Sequence, residues 1–268
     1  MNPITRSTVC LMLVAAVLGL TAPAVCGDVQ ATGVLKKWHR VTLVIEGPET
    51  GETASPNPFV DYRLDVTFTH PATGKSYLVP GFYAADGNAA VTGAESGNKW
   101  LVYFTPCAEG EWTYKVWFRT GTEIAAAPEP NGGKPAGPAD GATGSFKIGP
   151  TDAAACDLRA KGRLEYVGEH YLRFAETGEW FLKCGADAPE NLLAYADFDN
   201  TPNVEGRRKT WGPHLRDYPG DGDDLLWGPD ADRGKGLFGA INYLASEGMN
   251  AFSFLTCNID GDDRNVFP

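Results

Sequence analysis

The sequence is short of the features that most readily declare a chemistry. Its four histidines, His39, His70, His170 and His214, form no HxH or HExxH spacing, and no CxxC pair occurs, so no metal site is expected. A G-x-S-x-G elbow is also missing, which removes serine hydrolases of that type. Positive charge is scarce: 23 Lys and Arg stand against 34 Asp and Glu, a net charge of -11. An acidic surface repels phosphate backbones and anionic lipid, so nucleic acid and a membrane surface are excluded as partners, while neutral sugars are not. No apolar run reaches the ~20 residues needed to cross a bilayer.

The one long apolar run, Val9 to Leu20, follows Arg6 and precedes the small residues Ala22, Ala24 and Gly27. That order is the order of a secretory signal peptide, spanning residues 1–27, with cleavage after Ala24 or at Gly27. Cys26 raises a lipoprotein alternative, but Pro23-Ala24-Val25-Cys26 matches the small-residue box poorly. The expected location is therefore secreted or periplasmic, with no membrane association after signal cleavage. About 240 residues remain, enough for one large domain or two modest ones. They retain Cys107, Cys156, Cys184 and Cys257; an oxidising compartment permits disulfides, and a buried free thiol is an equal alternative for each.

From Lys36 to about Phe118 the pattern is that of strands. Trp38 to Ile45 is rich in β-branched and aromatic residues. Arg63 to Thr69 alternates, with Leu64, Val66 and Phe68 on one face and Arg63, Asp65 and Thr67 on the other, which predicts a half-buried strand. The turn Pro71-Ala72-Thr73-Gly74 leads into a hairpin partner from Ser76 to Phe82. Lys99 to Thr105 and Glu111 to Arg119 continue the series, the latter with Trp112, Tyr114, Val116 and Phe118 on a common face. Short strands separated by Gly, Pro and Asn indicate a β-sandwich. Gly121 to Gly144, rich in Pro, Gly and Ala, reads as a long loop, and Gly144 to Ile148 as one more strand, placing the domain end near Pro150.

Beyond that boundary Leu164 to Val167 and Tyr171 to Phe174 predict two short strands, and Trp180 to Cys184 a strand after the turn Ala175-Glu176-Thr177-Gly178. Leu237, Ile241 and Leu244 share one face of a helix that Gly248 should stop. Ala251 to Thr256 follows as an apolar strand in which only Ser253 is polar. Strand, long loop, helix and buried strand form a βαβ unit with parallel strands.

Two apparent motifs in this half dissolve on inspection. Gly234-Lys235-Gly236-Leu237-Phe238-Gly239 fits G-x-G-x-x-G, with Asp260 beyond it, but no strand runs into the first glycine. The acidic residues Asp221, Asp223, Asp224, Asp230 and Asp232 ahead of it would repel a pyrophosphate, so the glycines read as aids to close packing of a helix on a sheet. Asp230-Ala231-Asp232 begins like a calcium loop, yet Gly234 stands where a third ligand belongs, and a solvated acidic loop is the better reading. No cofactor is expected. The candidate site is the stretch after the first parallel strand: Asp187, Glu190 and Asn191, then Tyr195, Asp197 and Asp199, then Trp211, His214 and Asp217. Loops at the carboxyl ends of parallel strands carry the sites of barrel enzymes. Carboxylates and an amide can bond sugar hydroxyls, and aromatic rings can stack on sugar faces. A solvent-exposed loop held by its own turns is the plain alternative.

The residues Phe104-Thr105-Pro106 and Glu109-Gly110-Glu111-Trp112-Thr113-Tyr114, within Lys36 to Ile148, carry a resemblance. The span resembles the immunoglobulin-like domain of unknown function that precedes secreted glycoside hydrolases. Phe181-Leu182-Lys183, Gly185-Ala186-Asp187, Pro189-Glu190-Asn191, Ala240 to Ala245 and Asn250 to Phe254 are similar to the first strand, first helix and second strand of those hydrolase barrels. The resemblance implies a mainly β chain: an immunoglobulin-like β-sandwich over 28–150, then the truncated first βαβ part of a TIM-type barrel over 151–268. A whole barrel takes ~250 residues, and fewer than a hundred follow Glu179. The catalytic carboxylates of such barrels sit on later strands, so no catalytic residue is assigned, and Asp187, Glu190, Asn191 and Trp211 are carried only as possible substrate-binding residues. The implied partners are a polysaccharide or oligosaccharide and the rest of the chain's own barrel. The chain alone should be inactive, its sandwich should fold by itself, and 185–268 should be poorly stable alone. The rival reading is a non-catalytic carbohydrate-binding or cell-surface β-sandwich protein, which exposed coplanar aromatic residues would favour.

Overall fold

The computed structural model describes residues 29–129, 132–154, 157–187, 192–198, 201–220 and 232–254. The signal-peptide reading, Cys156, Glu190, Asn191, Asp199, the acidic run 221–230, Cys257 and Asp260 lie outside them. The chain is mainly β. In order its strands are β1 (Val29–Gly33), β2 (Val41–Gly51), β3 (Tyr62–His70), β4 (Lys75–Pro80), β5 (Phe82–Tyr83), β6 (Ser96–Phe104), β7 (Gly110–Thr120), β8 (Lys134–Pro135), β9 (Thr143–Ile148), β10 (Leu164–Glu165), β11 (Leu172–Phe174) and β12 (Trp180–Phe181). The helices are α1 (Ala89–Thr92) and α2 (Lys235–Ser246). Among the described residues no helix is long and apolar enough to cross a membrane.

The strands form three antiparallel sheets, β1-β2-β6-β5, β4-β3-β7-β8 with β9 also on β7, and β10-β11-β12. The period-two pattern explains the burial of the first two. Leu64, Val66 and Phe68 on β3 lie opposite Phe118, Val116 and Tyr114 on β7. They turn into the same cluster as Val41, Leu43 and Ile45 of β2 and Trp100, Val102 and Phe104 of β6. Rings join the sheets across it: Phe68 stacks on Phe104 with centroids 4.1 Å apart, and Trp100 meets Phe118 edge-on at 4.8 Å. Of the four β7 residues expected on one face, Trp112, Val116 and Phe118 are buried and Tyr114 is half-buried. Asp65 was expected on the solvent side and is only 4% exposed; the Arg63 guanidinium, Nε to Oδ2 2.6 Å, covers and neutralises it.

Two strand expectations are corrected by turns. Ser76 to Phe82 is two strands, because β4 pairs with β3 while β5 pairs with β6 in the other sheet. The chain changes sheets at Gly81, whose N–H donates to Leu64 O at 2.8 Å; a Cβ there would sit 2.4 Å from Leu64 Cδ2. Trp180 to Cys184, expected as the first parallel strand, starts as β12, antiparallel to β11. The four-residue turn before it folds the chain straight back, and a tight turn can join only antiparallel strands. Parallel contact begins one step later: Asn250 N–H donates to Cys184 O at 2.9 Å, Ser253 N–H to Ala186 O at 3.2 Å, and Asp187 and Ser253 form a parallel bridge. The expected helix between these segments is α2, with Leu237 and Ala240 buried and its end two residues before Gly248. In the Pro-rich stretch the expected loop carries a short turn, Ile124–Ala126, and β8. Asp140 pins it by accepting from Phe118 N–H at 2.9 Å and pairing with Arg119 at 2.8 Å.

A polar seam joins the first two sheets to the segment after Pro150. His39, 6% exposed, accepts at Nδ1 from Arg159 Nη1 (3.2 Å). Guanidinium can only donate, so the His39 proton sits on Nε2, 3.0 Å from Asp152 Oδ1. Arg163 donates to the Tyr77 hydroxyl at 3.4 Å, and Lys37 pairs with Glu176 at 3.1 Å. Among the described residues Cys107 and Cys184 form no disulfide.

Phe118→Ala removes a ring that packs on both sheets, so it should cost about 3–5 kcal/mol. Urea unfolding followed by circular dichroism measures it, and a loss below about 1 kcal/mol would mean that the sheets do not share one core.

Candidate functional site

The residues from Cys184 to Phe254 build their own small core on α2. Leu192, Tyr195 and Leu237 are buried together, with Phe198, Trp211, Ile241 and Phe252 against them. The start of the helix is held by Asp197. Its Oδ2 accepts from Gly234 N–H at 2.7 Å and from the Tyr195 hydroxyl at 2.6 Å, while Arg233 Nε donates to the Asp197 carbonyl at 2.9 Å. A carboxylate at this place satisfies a helix-end N–H and meets the positive end of the helix dipole. Burial, and after it the Asp197 charge, pushes the Tyr195 phenol up, so it stays a donor.

This arrangement explains the glycine-rich string. The helix start that would hold a phosphate already carries a carboxylate from the same chain. The second and third glycines serve close packing, as the sequence suggested, but against a loop rather than a sheet. A Cβ on Gly236 would lie 2.5 Å from Thr210 O, and one on Gly239 would lie 1.9 Å from His214 O. Asp232, the described member of the acidic run, pairs with Lys235 at 2.6 Å. Among the described residues no three His, Cys, Asp or Glu side chains gather as metal ligands.

Of the four expected substrate-binding residues, two are described. Asp187 is exposed at the end of the parallel pair and accepts a hydrogen bond from Ser253 Oγ. The sequence marked Ser253 only as a polar interruption in an apolar strand; register with Asp187 is what gives it a role. Trp211 is half-buried and lines a cavity of about 190 Å³ with Ala186, Leu192, His214, Ile241 and Phe252. Its indole Nε1 is enclosed without a hydrogen-bond partner among the described residues. Its backbone has φ +51°, a left-handed conformation that a bulky side chain adopts only at a cost. His214 Nδ1 lies 2.9 Å from Asp217 Oδ2, and Asn242 donates to the Asp217 carbonyl at 2.7 Å. Ala186 links the two places, since it borders the cavity and precedes Asp187. Chemically the arrangement offers an exposed carboxylate that can accept sugar hydroxyls beside an aromatic pocket.

Gly239→Ala should loosen the packing of α2 on 210–218 and leave the two large sheets intact. Limited proteolysis should then cut within 192–254 first, and unchanged resistance there would contradict the packing role. Asp197→Ala removes the acceptor of the Gly234 N–H at the helix start and should cost about 1–3 kcal/mol, read by hydrogen exchange of the first turn of α2.

Residues 34–119 match the family described as "Domain of unknown function (DUF5060)". One solved structure, described as "a putative glycoside hydrolase from Bacteroides vulgatus", is 20% identical with a TM-score of 0.39, over 68% of this chain and 25% of its own. This chain thus spans about a quarter of that protein's length. No curated protein matches the chain.

Proposed function

We propose that the chain is the N-terminal portion of a secreted glycoside hydrolase acting on polysaccharide. In this reading residues 1–27 are its signal peptide, 28–150 an immunoglobulin-like β-sandwich serving as an accessory module, and 151–268 the start of a (β/α) barrel. The observation that carries it is the order of two parts. A stretch matching a domain of unknown function is followed by a parallel crossover, Cys184 to Asp187, then α2, then Asn250 to Ser253. Such a crossover is the repeating unit of (β/α) barrels, and Asp187 ends its first segment, the kind of position where barrel enzymes place their sites. Asp187, Glu190, Asn191 and Trp211 would line the sugar cleft by hydrogen bonding and ring stacking. Retaining glycosidases cleave with two carboxylates about 5 Å apart, and in this reading both come from later strands.

The chain by itself should therefore release no reducing ends from soluble polysaccharides. Release that Asp187→Asn abolishes would place the catalytic machinery within these residues and overturn the division of labour. Reading the gene past the codon for Pro268 tests the enzyme reading directly. A continuing frame with alternating strands and helices is expected, and a stop codon there would sink it.

A further inference from the structure

The outward face of the β4-β3-β7-β9 sheet holds an open groove of about 610 Å³, inside the roughly 300–1,000 Å³ range of small-ligand sites. Because Leu64, Val66 and Phe68 turn inward, Thr67 and Thr69 turn out. Register then sets Thr67 beside Lys115 and Thr69 beside Thr113, and continues from Lys115 to Thr143 and from Thr113 to Ser145. The groove is thus lined by hydroxyls across three strands, with Glu111, Lys115 and Trp117 of β7 beside them. Thr69 already shares a hydrogen bond with Ser76 (3.1 Å). The hydroxyls of Thr67, Thr143 and Ser145 have no partner among the described residues.

We propose that this groove binds a neutral oligosaccharide segment of a polysaccharide, so that the first two sheets act as the sugar-holding module of the protein. The proposal rests on the polysaccharide reading above and assigns it a place. An occupant must offer many hydroxyls to the exposed ones here and an apolar face to the indole, and a pyranose chain offers both. A polyanion is disfavoured by the net charge of -11. Lys115 Nζ rests 4.2 Å from the Trp117 ring centroid. An exposed contact of that kind is weak, so a sugar ring can displace it and leave the ammonium to donate to a ring hydroxyl. A second exposed aromatic pair, Phe82 with Tyr103 on the β1-β2-β6-β5 sheet, has rings inclined at 69° with Arg40 over Tyr103. It offers no flat platform.

Native electrophoresis of the whole chain tests the assignment, in gels containing a soluble β-glucan, a xylan or a galactomannan, with polygalacturonate as the polyanionic control. Retardation is expected in at least one neutral gel and not in the control. Trp117→Ala and Ser145→Arg should each weaken it at least tenfold; Ser145 is exposed on the sheet edge, so that variant should keep the parent's melting temperature. No retardation in any neutral gel overturns the groove assignment. Retardation that both variants leave unchanged also overturns it, placing the sugar elsewhere and leaving the polysaccharide reading standing. A dimer by light scattering that Ser145→Arg splits would make a second copy the occupant and overturn it as well. The enzyme reading fails separately, through its own frame and hydrolysis tests.

Discussion

The contact of Trp100 on β6 with Phe118 on β7 is the constraint on which the rest of the structure depends. The two rings belong to different sheets and meet edge to face, an arrangement worth about 0.5–1.5 kcal/mol beyond the area it buries. Phe68 on Phe104 repeats the link one layer along. Once these rings meet, the alternation of β3 and β7 has no freedom left: a slip of one residue would turn Leu64, Val66 and Phe68 out to water. The same lock decides the outward face. Thr67, Thr113, Thr143 and Ser145 line one groove because their neighbours are committed to the core.

The attachment of the remaining chain is of a different kind. Its seam to the first two sheets is polar, built on His39 between Arg159 and Asp152 and on Arg163 over Tyr77. Its own core is small and depends on one helix. Asp197 sets where that helix begins, and Gly236 and Gly239 set how closely it can lie on the loop beneath. Such a unit buries little apolar surface for its length, and apolar burial is the main favourable term in folding. Among the described residues the larger buried apolar cluster is therefore that of the paired sheets, and the smaller one that of the α2 unit.

The candidate site sits where these two regimes differ. Asp187 is held by Ser253 through a parallel contact only a few residues long, and Trp211 is held in a left-handed conformation beside a cavity. The groove on the large sheet, by contrast, is borne on strands with full ladders on both sides of β7. Positions on regular strands are the more rigid of the two, and rigid positions lose less entropy when they bind.

Much of the β part was legible from residues 36–148 because a strand that is buried on one face must alternate, and alternation is visible in one dimension. The face of Trp112, Val116 and Phe118 was accessible that way, and the helix around Leu237 and Ile241 from its own period. Other features were not. Gly81 switches sheets, Trp180 and Phe181 run antiparallel, Asp65 is buried under Arg63, and Ser253 meets Asp187. Each of these depends on which chain lies alongside, and register between distant segments leaves no periodic trace. The amino-acid sequence by itself determined which residues would seek a core and at what spacing. Only the tertiary structure decided which strands would share that core, and so which hydroxyls and rings were left to face a ligand, because pairing is settled by packing between segments rather than by any one of them.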